Sequence, residues 1–106
     1  MIEIKFNPKI YELTIDGHAG YEEKGKDIVC AAVSILFYTL AQALTESEHM
    51  LDEKLSISND DGNGHIICKP KKEYEQSVCL IYWTVLQGFQ LMTGNYKENV
   101  SLRIVG

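Results

Sequence analysis

The apolar residues of this chain follow two different periods, and the order in which these periods alternate restricts the fold more than any other feature. Five short segments alternate apolar and polar side chains, as half-buried strands do: residues 2–7, 11–15, 55–58, 65–68 and 100–104. Two longer segments, residues 28–45 and 72–92, instead repeat their apolar residues at helical spacing. The predicted element order is therefore ββαββαβ.

Turn signals between the predicted strands favour hairpins, in which neighbouring strands run antiparallel. Residues 7–9 (Asn-Pro-Lys) separate the first two strands, and residues 60–64 (Asp-Asp-Gly-Asn-Gly) separate the next two. Both helices must then cover one face of a mainly antiparallel sheet, which is a two-layer α+β sandwich. Because 106 residues is the size of one domain, we expect residues 1–106 to form a single domain.

The net charge of −5 bears on which partners the chain can bind. It argues against direct binding of RNA or DNA, which requires a basic surface, and it favours a basic protein partner. The N-terminus lacks a basic segment followed by an apolar one, and no uninterrupted apolar stretch reaches the ~18 residues of a membrane span. We therefore expect a cytoplasmic protein without membrane association. Its three cysteines, an odd number, should then be free thiols rather than a disulfide framework.

The connection between the second strand and the first helix carries the residues most suited to chemistry. His18 ends the strand beside glycines, and Cys30 lies in the first turn of a helix that we predict to begin with Asp27 as its N-cap. Amides at a helix N-terminus stabilise a thiolate and can hold an oxyanion, and an imidazole can serve as base. This pair is the minimum for acyl transfer. A free cysteine near a helix start is, however, more often a small buried hydrophobe.

Two short segments resemble the signature of a known protease family. Residues 17–20 read Gly-His-Ala-Gly, and residues 25–34 read Gly-Lys-Asp-Ile-Val-Cys-Ala-Ala-Val-Ser, with His18 twelve residues before Cys30. Both segments and their spacing are similar to those of the ribosomal-processing cysteine proteases. The resemblance in length and element order covers essentially all 106 residues.

The resemblance implies a thiol endopeptidase in which Cys30 is the nucleophile and His18 the general base. The implied substrate is the precursor of a large-subunit ribosomal protein, which loses an apolar N-terminal extension with aromatic residues near the scissile bond. The resemblance also implies a homodimer, and the reaction needs no metal or cofactor. The loop that would meet the substrate contains Gly17, Ala19, Gly20 and Gly25.

Two further residues, Asp27 and Ser34, match the aspartate and serine positions of the family signature, and their roles stay open. Asp27 either caps the helix alone or also orients His18. Ser34 lies one turn beyond Cys30 on the same helix face. Its hydroxyl either hydrogen-bonds His18 or the substrate, or bonds back to a helix carbonyl.

A second class of function is a non-catalytic module that associates with the ribosome or its assembly, with His18 and Cys30 in structural roles. Slow and equal alkylation of all three cysteines would favour the module, whereas a protease should show fast alkylation of Cys30. A metal site at His65 and Cys68 is not expected. These residues lie three apart on a predicted strand and so point to opposite faces.

Overall fold

Residues 1–17, 23–60 and 62–106, which a computed structural model describes (the backbone alone at 23–27), form a five-stranded sheet and two long helices. In chain order the elements are β1 Ile2–Asn7, β2 Glu12–Gly17, α1 Glu23–Glu46, β3 Ser56–Asp60, β4 Asn63–Ile67, α2 Glu75–Asn95 and β5 Val100–Ile104. Single-turn 3₁₀ helices at Glu48–Met50 and Lys72–Tyr74 precede β3 and α2. The predicted order ββαββαβ is confirmed.

The strands lie side by side in the order β3-β4-β2-β1-β5. The β1–β2 and β3–β4 hairpins and the β2–β4 pair are antiparallel, and β5 runs parallel to β1. The prediction of a mainly antiparallel sheet is therefore confirmed. The β3 and β5 strands form its two edges.

Both helices pack on the same face of this sheet. In β4, Gly64 lies opposite Ile15 of β2, and Phe6 of β1 shares that face. The Phe6 ring stacks on Tyr82 of α2 with ring centroids 5.1 Å apart. A Cβ built on Gly64 would lie 2.8 Å from Cε1 of Phe37 in α1. These contacts place α1 over β4 and α2 over β1, which is the predicted two-layer α+β sandwich.

Helix α1 begins earlier than the sequence pattern predicts. It starts at Glu23, four residues before Asp27, so the prediction that Asp27 is its N-cap is wrong. Glutamate and lysine are good helix formers, and the one glycine in this segment lowers helix stability by only about 1 kcal/mol. Gly25 consequently belongs to α1 rather than to a substrate loop. The side chain of Asp27 lies outside the described part of the chain.

Smaller differences occur at the ends of other elements. Tyr11 is predicted to be a strand residue but ends the β1–β2 turn with a φ of +54°. The β4 strand ends at Ile67, so Cys68 follows the strand instead of belonging to it. The α2 helix begins at Glu75 after a 3₁₀ turn rather than at Lys72.

Within the described residues, α1 contains one segment long and apolar enough to cross a membrane, Ile28–Glu46. The segment reaches this average hydropathy although polar residues such as Ser34, Thr39 and Gln42 interrupt it, so it contains no uninterrupted apolar run of ~18 residues. The core helix of a soluble protein passes the same test, and 33% of this segment is buried inside the fold. The segment is therefore weak evidence for a membrane.

Candidate active site

Cys30 lies well inside α1, where its half-buried side chain packs against the core. It follows the first helical residue, Glu23, by seven residues, which is about two turns. The prediction that Cys30 lies in the first turn is therefore wrong. Its backbone N–H belongs to the helical hydrogen-bond ladder, and the field of a helix N-terminus falls off within one turn. The free amides at the start of α1 thus lie about two turns away from this thiol.

A pocket of about 410 Å³ adjoins Cys30, between α1 and the sheet. It lies at the end of the sheet where β1 begins, β2 ends and the β3–β4 hairpin turns. The residues that matter most for its chemistry and shape are Cys30, Ser34 and Phe37 of α1, Gly17 of β2, Asn59 of β3 and Gly64 of β4. Its volume is within the range of ligand-binding pockets, so it can accept part of a peptide.

Gly17 brings the chain to the wall of this pocket immediately before His18. Its φ is +99°, and a Cβ there would overlap the carbonyl oxygen of Met1, so glycine is required on both counts. His18, Ala19 and Gly20 themselves lie outside the described residues.

Ser34 lines the same pocket as Cys30, one helical turn further along α1. No hydrogen bond from Ser34 to a helix carbonyl is found among the described residues. Thr39 of the same helix, by contrast, donates to the carbonyl of Ile35 at 2.6 Å. The Ser34 hydroxyl is therefore available to a ligand in the pocket.

Phe37 and Gly64 form a closely fitted part of the pocket wall. The Phe37 ring is 3% exposed and meets the Tyr38 ring edge-to-face at a centroid distance of 5.3 Å. The Tyr38 hydroxyl in turn accepts a hydrogen bond from Nδ2 of Asn59. The sequence pattern does not single out Phe37, Asn59 or Gly64, because only the packing of α1 over the β3–β4 hairpin brings them beside Cys30.

The other two cysteines do not line this pocket. All three are free thiols, as predicted. Cys68 is buried, its Sγ lies 3.5 Å from the Tyr82 hydroxyl, and burial raises the pKa of its thiol. A raised pKa keeps Cys68 protonated near neutral pH, which makes it a poor nucleophile.

His65 and Cys68 have separate surroundings. The His65 ring forms a 2.7 Å hydrogen bond to the carboxylate of Glu12 across the β2–β4 pair, whereas Cys68 is buried beside Tyr82. Among the side chains that the structure describes, no three histidine, cysteine or acidic groups are arranged to hold a metal ion.

Comparisons of sequence and of structure both find similarity to the cysteine protease Prp. The family model described as "Cysteine protease Prp" matches residues 1–101. The ribosomal processing cysteine protease Prp of Staphylococcus aureus is 30% identical over 101 residues, which are 95% of this chain and 92% of that protein.

Two crystal structures of the essential ribosomal processing protease Prp from S. aureus are similar to this chain at 28% identity. One is a complex with a covalently linked product peptide, with a TM-score of 0.78 over 99% of this chain and 100% of the other. The second is a complex with a substrate peptide, with a TM-score of 0.71 over 98% of this chain and 97% of the other.

Proposed function

The chain belongs to the Prp family of cysteine proteases, and from this premise we propose that it is a cytoplasmic endopeptidase that processes a ribosomal protein precursor. The observation that carries the proposal is the pocket beside Cys30. A half-buried free thiol adjoins a cavity whose wall includes Gly17, the residue immediately before His18. The proposed nucleophile thus lines a cavity large enough for part of a peptide, and the residue that precedes the proposed base lines the same cavity.

In the proposed mechanism Cys30 is the nucleophile and His18 the general base. The imidazole takes the thiol proton while Sγ attacks the scissile carbonyl carbon, which forms a tetrahedral intermediate. The imidazolium then gives its proton to the leaving amine, and the C–N bond breaks to leave a thioester on Cys30. Water, deprotonated by His18, releases the acyl group and restores the thiol. The covalently linked product peptide of the S. aureus relative supports an acyl-enzyme of this kind.

The developing oxyanion needs a donor other than the amides that open α1, since these lie about two turns from Cys30. Two side chains of the pocket have donors of the right type, the hydroxyl of Ser34 and the amide of Asn59. Since Asp27 is not the N-cap of α1, we propose the other role considered for it, which is to orient His18.

The proposed substrate is a large-subunit ribosomal protein precursor, which the enzyme shortens by removing an N-terminal extension. The S. aureus relative is named for ribosomal processing, and the net charge of −5 favours encounter with a basic ribosomal protein. Ile15, Val33 and Phe37 give the pocket apolar walls, which suit an apolar side chain near the scissile bond.

Incubation with the host's ribosomal protein precursor, followed by intact-mass analysis, tests this function. The wild-type protein should release the extension, and Cys30→Ala and His18→Ala should abolish release without lowering the melting temperature appreciably. Cys79→Ala is the matched control, because it removes a half-buried thiol that does not line the pocket. Cleavage by the Cys30→Ala protein would refute the mechanism.

Alkylation separates the protease from a non-catalytic ribosome-associated module. With iodoacetamide near neutral pH, Cys30 should be modified at least tenfold faster than Cys68 or Cys79, as measured by peptide mass spectrometry. Slow and equal modification of all three thiols, together with no cleavage of the precursor, would favour the module.

The protease is proposed to act as a homodimer, and the outer surface of the two helices supports this. Ile28 and Ile35 of α1 are 62% and 64% exposed, and Leu80 and Leu91 of α2 are 67% and 68% exposed. Large apolar side chains exposed on two neighbouring helices suit a protein interface. A second copy of the chain is the partner that would cover them.

A further inference from the structure

We infer that Phe37 and Gly64 together set the size limit for the substrate side chain that binds next to the scissile bond. The inference rests on the proposed protease function and adds the residues that determine its specificity. Phe37 supplies the surface that the substrate side chain contacts, and Gly64 determines where that surface lies.

Phe37 occupies the same face of α1 as the nucleophile. It follows Cys30 by seven residues, about two turns, and both side chains line one pocket. Because its ring is only 3% exposed, Phe37 is a fixed wall rather than a side chain free to move aside. A substrate side chain that enters beside Cys30 therefore meets this ring.

Gly64 lacks a side chain for reasons of space rather than of backbone conformation. Its φ does not lie in the left-handed region, in contrast to that of Gly62 in the adjacent turn at +90°. A Cβ at Gly64 would lie 2.8 Å from Cε1 of Phe37, closer than Cβ atoms approach other groups, and at a tight 3.1 Å from both Cδ1 and Cζ. The absence of a Cβ thus allows the Phe37 ring to sit against the sheet.

The Phe37 ring is confined on a second side by Tyr38. Tyr38 packs edge-to-face on Phe37, and its hydroxyl is held by the Asn59 amide at the rim of the pocket. A methyl group at position 64 would therefore move the ring toward the remaining open space, which is the pocket itself. Removal of ring atoms from Phe37 would have the opposite effect and deepen the pocket.

The test uses peptides that span the cleavage site, with alanine, leucine, phenylalanine or tryptophan placed in turn on each side of the scissile bond. The readout is the ratio of kcat/KM for the phenylalanine peptide to that for the alanine peptide, which is independent of the amount of active enzyme. Gly64→Ala should lower this ratio by about tenfold or more at one of the two positions. Phe37→Leu should raise relative activity toward the tryptophan peptide at the same position by a similar factor.

Two control variants make the same chemical changes away from the pocket. Gly88→Ala also places a methyl group against a side chain, with its Cβ 2.6 Å from Cδ2 of Leu36. Phe89→Leu shortens a fully buried aromatic residue of α2. Neither position lines the pocket, so both variants should keep the wild-type ratio within about twofold even where overall activity falls.

Should a variant fail to fold, as judged by melting, the wild-type protein supplies a second measurement. The rate of Cys30 alkylation by chloroacetamides with methyl, benzyl and naphthylmethyl substituents should fall sharply at the largest group. A flat series, or a wild-type cleavage ratio retained in both Gly64→Ala and Phe37→Leu, would overturn the inference. A wild-type protein that cleaves no peptide would instead refute the proposed function.

Discussion

Tyr82 connects three parts of the fold through one buried hydroxyl. Its side chain is fully buried, and the hydroxyl donates to the carbonyl of Tyr11 at 2.7 Å and lies 3.5 Å from Sγ of Cys68. Tyr11 has a φ of +54°, a conformation that costs a non-glycine residue about 1–2 kcal/mol. The hydrogen bond from Tyr82 helps to hold Tyr11 in this conformation at the end of the β1–β2 turn.

We therefore expect Tyr82→Phe to lower the free energy of unfolding by about 1–2 kcal/mol, because a partly buried carbonyl loses its donor. Urea denaturation followed by circular dichroism measures the change. Tyr38→Phe is the control, since it removes an exposed hydroxyl, and its effect should stay within about 0.5 kcal/mol. Equal effects of the two substitutions would show that the Tyr82 hydrogen bond does not stabilise the fold.

Burial of Cys68 makes stability depend on pH in the alkaline range. Burial raises the pKa of this thiol above its usual value of 9.0, so the folded protein keeps a proton that the unfolded chain releases. This stabilisation is complete below about pH 9 and is lost as the pH rises toward the pKa of the thiol in the folded protein. Over that range the free energy of unfolding falls by at most about 1.4 kcal/mol per pH unit.

Urea titrations between pH 8 and pH 10 should therefore show a falling free energy of unfolding, and Cys68→Ala should flatten this dependence. Tyr82, whose pKa is also raised by burial, contributes mainly above pH 10. The same slope in wild type and Cys68→Ala would contradict this assignment.

At the scale of single elements, the end of β2 determines where the chain leaves the sheet toward His18. Gly17 pairs with Ile2 and has a φ of +99°, and any Cβ would overlap the Met1 carbonyl. Gly17→Ala should lower the free energy of unfolding by more than about 1 kcal/mol and reduce activity further, because the backbone that leads into His18 must shift.

Gly94→Ala is the matched control for this prediction. Gly94 lies in α2 with no atom within 4 Å of an added Cβ, so alanine should stabilise the helix by up to about 1 kcal/mol. Urea denaturation and cleavage of the precursor give both readouts. A Gly17→Ala protein with wild-type stability and activity would show that the exit from β2 is not constrained.

The length of α1 explains how one helix supplies much of the pocket. Because α1 starts at Glu23, Cys30, Ser34 and Phe37 all lie on regular helix, at spacings of four and seven residues. Residues at these spacings share one face, so their relative positions are determined by helix geometry alone. The position of Cys30 therefore depends on α1 and not on the segment that precedes this helix.

At the scale of the whole molecule, the exposed apolar surface of the helical layer predicts self-association. Wild-type protein should sediment at twice the chain mass, and Ile35→Glu or Leu80→Glu should yield monomers, because a charge cannot be buried there without a partner. Ile104→Glu is the control, since Ile104 is 50% exposed on the edge strand β5 and receives the same added charge. Monomeric wild-type protein at tens of micromolar would contradict the homodimer.

Much of the fold could be predicted because local patterns and long-range packing agree. The alternation of Ile2, Ile4 and Phe6 specifies a half-buried strand wherever that strand pairs, and the glycine-rich turn at residues 60–64 specifies a hairpin. The start of α1 could not be predicted, because the cap preference of Asp27 and the helix propensity of residues 23–26 are of similar size.

The amino-acid sequence by itself determined the element order, the two-layer sandwich and the membership of a cysteine protease family. These follow from the spacing of apolar residues and from short motifs, both of which are local in the chain. Only the tertiary structure decided that Cys30 lies two turns inside α1, and that Phe37, Asn59 and Gly64 join it at one pocket. The physical reason is that strand pairing and helix packing bring together residues about thirty positions apart, and no local pattern encodes the distance between them.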